Sequence, residues 1–427
     1  MKMPNVKNFY VKSSLFTILS LAAAACSYFL YPIIIRILPS SEFGDFAVTT
    51  TMLNQILSIF LALNIISVHL VKKYGEEESR HYIQIIQKIL LQVFIGLCVV
   101  VVILSPQLKD LLKISHLSLF IPLGLILLAS VPVTIWNGFL QGHKELVRIG
   151  VFSFSASLAK LIFASVFGLL LGAIGALFGI LVGTLLGILI LQLYPGVRLP
   201  SLRSTFDKTS KKDLRFLSNL KFYILQSIFV VGALGFLQGY DISLAKALFE
   251  PQLAGLYSGI GVLSYVFYYV CFILIWIVLP EVDVKNPKNN RRIISTAYKI
   301  FGLITAVAVS AELLLGNILL PFIIGEQYEG KTIWLVYATL YQLMLVGIAL
   351  YAFYLLIRHK SRAVILVGYV LACCLVLPSL FAHTPEQMIV LLLLSTVCGT
   401  ILYILTIATK NFVKQMRSMN RVNNTHL

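Results

Sequence analysis

The sequence predicts an all-α integral membrane protein of about twelve transmembrane helices in two six-helix lobes. Three observations carry this prediction. Hydrophobic residues make up 59% of the 427 residues and charged residues only 12%, which is too apolar for a water-exposed surface. The apolar residues form runs of about 20, the length that crosses a bilayer as a helix. One polar, basic stretch separates six such runs from six more.

The runs define the predicted domains. Residues 1–194 form an N-terminal six-helix lobe, 195–221 a basic cytoplasmic linker, and 222–427 a C-terminal six-helix lobe with a short basic tail. The predicted spans are 14–37, 46–71, 83–105, 117–141, 149–171, 174–194, 222–240, 252–279, 294–320, 332–357, 363–382 and 387–409.

The distribution of basic residues predicts the orientation. If the N-terminus is cytoplasmic, nearly all of the 34 Lys and Arg fall on the cytoplasmic side, as the positive-inside rule requires. This prediction places both termini in the cytoplasm. The placement of the net charge of +17 therefore indicates how the chain is oriented in the membrane and does not indicate nucleic-acid binding. The basic residues left on the outer side are Arg36, Lys109, Lys113, Lys246 and Lys331.

Lys160 is the basic residue that lies deepest within a predicted span. It stands about eleven residues, or roughly 17 Å, from the cytoplasmic end of span 149–171. A lysine at this depth costs at least ~2.5–3.5 kcal/mol, so it should face a water-filled cavity or a partner. We expect Lys160 to line a substrate cavity. Other polar residues within spans, which also face neighbouring helices or a wet cavity, are Asn54, Gln55 and Gln141.

Two carboxylates are candidates for coupling transport to an ion. Glu312 lies clear of both interfaces in span 294–320, and Asp241 ends span 222–240. Glu312 could pair with Lys160, bind a coupling cation, take up a proton, or form a static contact between helices. H⁺ or Na⁺ is the coupling ion that these residues would serve. No metal cluster or organic cofactor is indicated, since the six cysteines form no CxxC pair.

Glycines at a four-residue spacing mark the spans 149–171 and 174–194. This spacing removes side chains from one helix face and lets two backbones approach closely. Only Gly172 to Ile174 connect the two spans, so we predict a tight antiparallel hairpin. The glycines are Gly168, Gly172, Gly175, Gly179, Gly183 and Gly187.

A weak internal repeat relates the two halves. Gly44-Asp-Phe opens the second span of the first half, and Gly255-Leu-Tyr opens the second span of the other half. The third span of each half ends at a proline, Pro106 or Pro321. Six spans per half is an even number, so the two halves should share one orientation in the membrane.

The segment from Arg36 to Ala47 resembles the opening signature of Wzx-type polysaccharide flippases of the MOP superfamily. That signature reads Arg-x-Leu-Gly-Pro-x-Glu-Phe/Tyr-Gly, and Arg36, Leu38, Glu42, Phe43 and Gly44 match it. The proline is shifted by one position and the glycine before it is absent. The second half adds three similar segments, Ala254–Ser258, Leu279-Pro280 and Ile324–Tyr328.

The resemblance implies a MOP/MATE-like fold and a flippase of the bacterial inner membrane that is not an enzyme. Its substrate would be an undecaprenyl-diphosphate-linked oligosaccharide, moved by alternating access. Implied partners are this lipid-linked substrate and the polysaccharide assembly machinery, while the basic tail would touch anionic lipid. Lys160 would lower the cost of carrying the diphosphate. Arg36 would close or engage the outer side, although its alternative is a snorkelling interfacial residue.

Other functions remain open at this level. A multidrug/cation antiporter of the same superfamily would share the architecture. A polysaccharide polymerase or ligase is less favoured because every outer loop is short. A non-transporting scaffold predicts no buried charge. The sequence carries no GxxxxGK[ST] loop, so ATP-driven pumping by this chain alone is not expected.

Overall fold

A computed structural model describes residues 6–142, 145–194, 211–278, 287–357 and 361–424. The described residues form helices joined by short turns, and no strand occurs among them. The chain is therefore all-α, as predicted. The helices are α1 Val6–Ile37, α2 Ser40–Leu111, α3 Phe120–Gly142, α4 Leu146–Leu193, α5 Lys211–Leu248, α6 Pro251–Val278, α7 Pro287–Ile324, α8 Thr332–Ile357, α9 Arg362–Phe381 and α10 Pro385–Asn424.

Helix α2 contains two of the predicted spans. A straight helix would separate Asp45 from Ser115 by about 100 Å at 1.5 Å per residue. The backbone N–H of Ser115 nevertheless donates a hydrogen bond to Asp45 Oδ2 at 3.0 Å. The run Ser40–Leu111 therefore folds back on itself. Its two arms correspond to the predicted spans 46–71 and 83–105.

Helix α4 also folds back, and here the point of reversal is defined. Gly172 has φ 64° and ψ −148°, a backbone conformation that glycine adopts without steric cost. On either side of it the two arms pack through the predicted glycines. Gly179 lies against the backbone of Ala164, and Gly187 lies against Ala156. Larger side chains would clash at these positions, so the hairpin predicted from the glycine spacing is confirmed.

The described chain is a multi-pass membrane protein. Nine described segments are long and apolar enough to cross a bilayer, and the whole of Leu146–Leu193 counts as one of them. Helix α2, whose two arms match two predicted spans, is not among these nine segments, so the predicted total of about twelve spans stays a prediction.

The chain forms two compact units. Unit 1 comprises Met1–Val266 and Leu315–Thr332, and unit 2 comprises Phe267–Leu314 and Ile333–Leu427. The predicted lobes 1–194 and 222–427 stay a prediction. Helix α5 begins at Lys211, inside the predicted linker 195–221, of which residues 195–210 lie outside the described ranges.

In unit 1, helix α1 and the first arm of α4 run parallel. Leu19 packs against Gly150, Ser27 Oγ donates to Ser157 Oγ at 3.0 Å, and Ile34 packs against Gly168. This direction is the one predicted for spans 14–37 and 149–171. Apolar side chains of α3 and α4 form a core at the other end of the hairpin: Trp136, Leu140, Ile149, Phe152, Ala156 and Leu191.

The first arm of α2 and helix α5 are antiparallel neighbours in unit 1. Gly239 of α5 faces Thr51, and Gly235 faces Ser58. These small residues let the two backbones approach closely over this stretch. In the sequence, α2 belongs to the first half and α5 to the second.

Unit 2 is held by polar bonds between neighbouring helices. Tyr298 Oη of α7 donates to the carbonyl of Gly347 in α8 at 2.8 Å. Trp334 Nε1 of α8 donates to Glu386 Oε1 of α10 at 2.7 Å. Helices α9 and α10 pack where Gly399 lies against the backbone of Val370.

Candidate functional site

Lys160 lies on the first arm of the α4 hairpin, twelve residues before Gly172. That spacing places it roughly 18 Å from the hairpin tip, near the middle of a bilayer. The methylene stem packs over Gly183 of the second arm, where any larger residue would displace it. The side chain is half-buried. Among the described residues of unit 1, no carboxylate pairs with it.

Asp241 of α5 is fully buried in unit 1. Two tyrosines of α6 donate to its carboxylate, Tyr257 to Oδ2 at 3.0 Å and Tyr265 to Oδ1 at 3.3 Å. Neutral hydroxyls satisfy the oxygens without supplying a compensating charge. Asp241 is therefore a buried acid whose described hydrogen-bond donors are neutral. Such a group can hold a proton or a cation.

Glu312 of α7 is 5% exposed in unit 2. Its Oε1 accepts a hydrogen bond from Thr339 Oγ1 of α8 at 2.6 Å. Its Oε2 is buried and has no hydrogen-bond partner. An orphaned carboxylate oxygen in an apolar environment is costly unless a proton or a cation occupies it. The predicted pairing with Lys160 stays a prediction.

Arg36 stands in the last turn of α1 and is exposed. Its Nε donates to the carbonyl of Ile323 at 3.1 Å, and a terminal guanidinium nitrogen donates to the carbonyl of Phe322. Both carbonyls belong to the last turn of α7, where helical carbonyls lack partners within the helix. Arg36 therefore links the ends of α1 and α7 in unit 1.

The remaining predicted cavity residues occupy different environments. Gln55 is half-buried and donates from Nε2 to the carbonyl of Phe236 at 2.9 Å, which joins α2 to α5. Asn54, the next residue around the helix, is exposed. Gln141 lies near the end of α3, and its side chain is outside the described set. That these residues line a cavity stays a prediction.

A buried ion pair joins Asp45 and Lys246, and the sequence reasoning missed it. Lys246 Nζ lies 2.6 Å from Asp45 Oδ1, and their side chains are 0% and 2% exposed. Asp45 Oδ2 also accepts the backbone N–H of Ser115. In the sequence, Lys246 looked like an ordinary outer basic residue. The available signal was an acid directly after Gly44 and a lysine nine residues before the matching Gly255.

Other residues of the first signature serve packing at the same end of unit 1. Glu42 Oε2 accepts the backbone N–H of Ala173 at 3.4 Å, at the tip of the α4 hairpin. Gly44 and Gly255 approach so closely that a Cβ on Gly44 would lie 3.2 Å from the Gly255 Cα. The signature therefore positions the ends of several helices.

The larger, N-terminal part of the chain, which includes these contacts, matches a known protein family. Residues 11–260 match the family model described as polysaccharide biosynthesis protein, which is more than half of the sequence. The chain belongs to this polysaccharide biosynthesis protein family. The match includes the Asp45–Lys246 pair, the α4 hairpin and Lys160. No curated protein matches the chain.

Solved structures give the fold of this polysaccharide biosynthesis protein. An inward-facing multidrug resistance MATE family transporter of the MOP superfamily matches with a TM-score of 0.66 at 13% identity, covering 94% of this chain and 98% of that one. The lipid II flippase MurJ, in an inward closed conformation, matches with a TM-score of 0.65 at 12% identity, covering 94% and 89%. The eukaryotic MATE transporter AtDTX14 matches with a TM-score of 0.63 at 14% identity, covering 96% and 98%.

These matches confirm the predicted MOP/MATE-like fold. The resemblance to a polysaccharide family, drawn from the signatures, is confirmed by the family match over residues 11–260. At 12–14% identity the structural likeness carries the fold and no substrate. The family match independently places the protein in polysaccharide biosynthesis.

Proposed function

We propose that this protein is a flippase that moves an undecaprenyl-diphosphate-linked oligosaccharide across the bacterial inner membrane by alternating access. It performs no covalent chemistry in this proposal. The polysaccharide biosynthesis family and the fold shared with a lipid II flippase support this proposal. The observation that carries it is Lys160, a cation near mid-membrane without an ionic partner in the described ranges.

The physical reason is the charge of the substrate headgroup. A diphosphate crossing hydrocarbon must exchange its hydration shell for compensating groups, because a bare charge there is very costly. An ammonium at mid-depth offers such a group, and Gly183 leaves room for its stem. The lipid tail stays in the bilayer, so the protein has to shelter only the headgroup. Lys160 is the proposed diphosphate contact, with Asn54, Gln55 and Gln141 as candidate contacts for polar sugar groups.

The two buried acids are the proposed coupling groups. Asp241 and Glu312 each occupy a buried site where the described hydrogen-bond donors are neutral groups. Binding H⁺ or Na⁺ would neutralise such a carboxylate and change the stability of the conformation that buries it. Release of the ion on the other side of the membrane would then drive the reverse change.

We further propose that the N- and C-termini lie in the cytoplasm, as the basic residues predict. The lipid-linked substrate, anionic membrane lipid and the polysaccharide assembly machinery are the proposed partners, and nucleic acid is not one of them. The C-terminal tail would contact anionic headgroups through its lysines and arginines.

A multidrug/cation antiporter is the second candidate function. The orphaned Oε2 of Glu312 favours it, because a buried carboxylate oxygen without a donor suits a cationic ligand. The two functions differ in the charge of the cargo. An antiporter of cations would gain from the loss of Lys160, whereas a flippase of a diphosphate lipid would lose activity.

Translocation of a fluorescent undecaprenyl-diphosphate oligosaccharide in proteoliposomes tests the proposal. We expect wild-type protein to move the lipid between leaflets and Lys160→Met to reduce the rate at least about tenfold, equivalent to about 1.4 kcal/mol of binding. Lys160→Arg should keep most activity. Lys299→Met is the matched control, because Lys299 is an exposed lysine of α7.

One result would contradict the role of Lys160, and another would contradict the flippase function itself. Wild-type transport with an equally fast Lys160→Met variant would remove Lys160 from the site and leave the flippase function standing. Absence of lipid transport together with efflux of a small cationic dye would replace the flippase with the antiporter.

A further inference from the structure

Four contacts converge where α1 meets α2, and each joins the first half of the sequence to the second. Arg36 bonds the last carbonyls of α7. Ser40 Oγ donates to Gln327 Oε1 at 3.1 Å. Asp45 pairs with Lys246 at 2.6 Å. Beside them, the backbones of Gly44 and Gly255 touch.

We infer that Arg36, Ser40, Asp45, Lys246 and Gln327 form a clasp that closes one side of the transport path and opens once in each cycle. This inference rests on the proposed function, because a transporter that alternates access must separate its closed side to release its cargo. The predicted orientation puts the clasp on the outer side of the membrane.

A buried ion pair suits a contact that must break repeatedly. Taking two charges out of water costs several kcal/mol per ion, and their attraction returns a similar amount. When the clasp opens, water reaches Asp45 and Lys246 and replaces the lost attraction. The two states can therefore differ little in free energy. A wholly apolar contact of the same area would favour the closed state throughout.

The pair also holds the clasp in one register. Asp45 uses one oxygen for Lys246 and the other for the N–H of Ser115, which follows the second arm of α2. Lys113 Nζ of that connection donates to the carbonyl of Phe249, just beyond α5, at 3.0 Å. Neutralising one member of the pair should leave the other buried without a counter-charge and favour the hydrated, open state.

Cysteine labelling tests this shift without any substrate. Ser258 of α6 is fully buried one turn after Gly255, so a cysteine there reports opening of the clasp. The six natural cysteines are first replaced in the full-length chain. An impermeant thiol reagent is then applied from outside. We expect the Ser258→Cys thiol to be labelled at least about tenfold faster in the Asp45→Asn variant than in the parent. That ratio corresponds to a roughly tenfold larger population of the open clasp. The swapped pair Asp45→Lys with Lys246→Asp should return toward the parent rate.

A disulfide across the clasp tests whether it must open. Ser40→Cys with Gln327→Cys places two thiols where the parent side chains already touch. Oxidation should stop translocation of the lipid-linked oligosaccharide, and reduction should restore it. The control pair is Asn317→Cys with Thr332→Cys, whose parent side chains bond at 2.6 Å between α7 and α8, both of the second half. Oxidation of that pair should leave translocation unchanged.

The outcomes separate the clasp from the flippase function. Undiminished translocation through the oxidised clasp would overturn the clasp while the flippase stands. Equal labelling of Ser258→Cys in parent, Asp45→Asn and swapped chains would overturn the ion pair as its switch. Faster labelling of Asp45→Asn, restored by the swap, in a protein that moves no lipid-linked glycan would support the clasp and reject the function.

Discussion

Lys246 and Lys160, two lysines within helices of unit 1, differ in the charges around them. Lys246 is fully buried and has Asp45 2.6 Å away. Lys160 is half-buried at mid-membrane and has no described carboxylate partner. The comparison teaches that burial of a lysine does not reveal its function. A compensated lysine has its charge balanced by a neighbouring helix, whereas an uncompensated one retains the cost of its burial.

The largest expected effect comes from breaking the compensated pair. Lys246→Met should lower the free energy of unfolding by about 3–5 kcal/mol, because Asp45 is left charged and buried. The double variant Lys246→Met with Asp45→Asn should recover most of the loss, since it removes both charges. Thermal unfolding in detergent measures the two changes. A single variant as stable as the double one would show that Asp45 gains nothing from Lys246.

A smaller loss of stability is expected from a substitution at Gly183, on which the stem of Lys160 packs. Gly183→Leu should destabilise the hairpin by about 1–3 kcal/mol, because the added side chain collides with the Lys160 stem and backbone. It should also slow translocation by displacing the ammonium. Gly124→Leu is the control, since a Cβ at Gly124 of α3 meets nothing within 4 Å. Normal transport by a destabilised Gly183→Leu protein would show that the packing of Lys160 on Gly183 supports stability but is not needed for transport.

The smallest stability effect should come from Lys160 itself. Lys160→Met keeps the stem and removes a charge that no described partner stabilises, so the free energy of unfolding should change by less than about 1 kcal/mol or rise. The same thermal measurement as for Lys246→Met gives a direct contrast. A loss of several kcal/mol would show that Lys160 has a structural partner after all.

Most of the fold could be predicted because its signals are local. The length of each apolar run indicates a helix long enough to cross a bilayer. The α4 hairpin followed from the spacing of Gly179, Gly183 and Gly187, since a face without side chains has to meet another backbone. The fold-back of α2 followed from the polar stretch between two apolar runs.

The site could be predicted only in part. Counting residues gives the position of Lys160 along its helix but not the rotation of that helix, so the groups around Lys160 could not be predicted. Tyr257 and Tyr265 donate to Asp241 from a different helix, and the sequence does not indicate which face of α6 meets which face of α5. The pairing of Asp45 with Lys246 likewise depends on the antiparallel contact of α2 with α5, which only tertiary packing supplies.

The Asp45–Lys246 pair also has a consequence for biosynthesis. The ribosome delivers Asp45 to the membrane long before α5 is made, so the acid enters its helix without its cation. During that interval the Ser115 N–H is the described donor that remains for it among the helices already synthesised. Arrival of α5 then completes the pair and couples the two halves of the newborn chain. A chain that stops after α4 therefore keeps an unpaired acid near the start of α2.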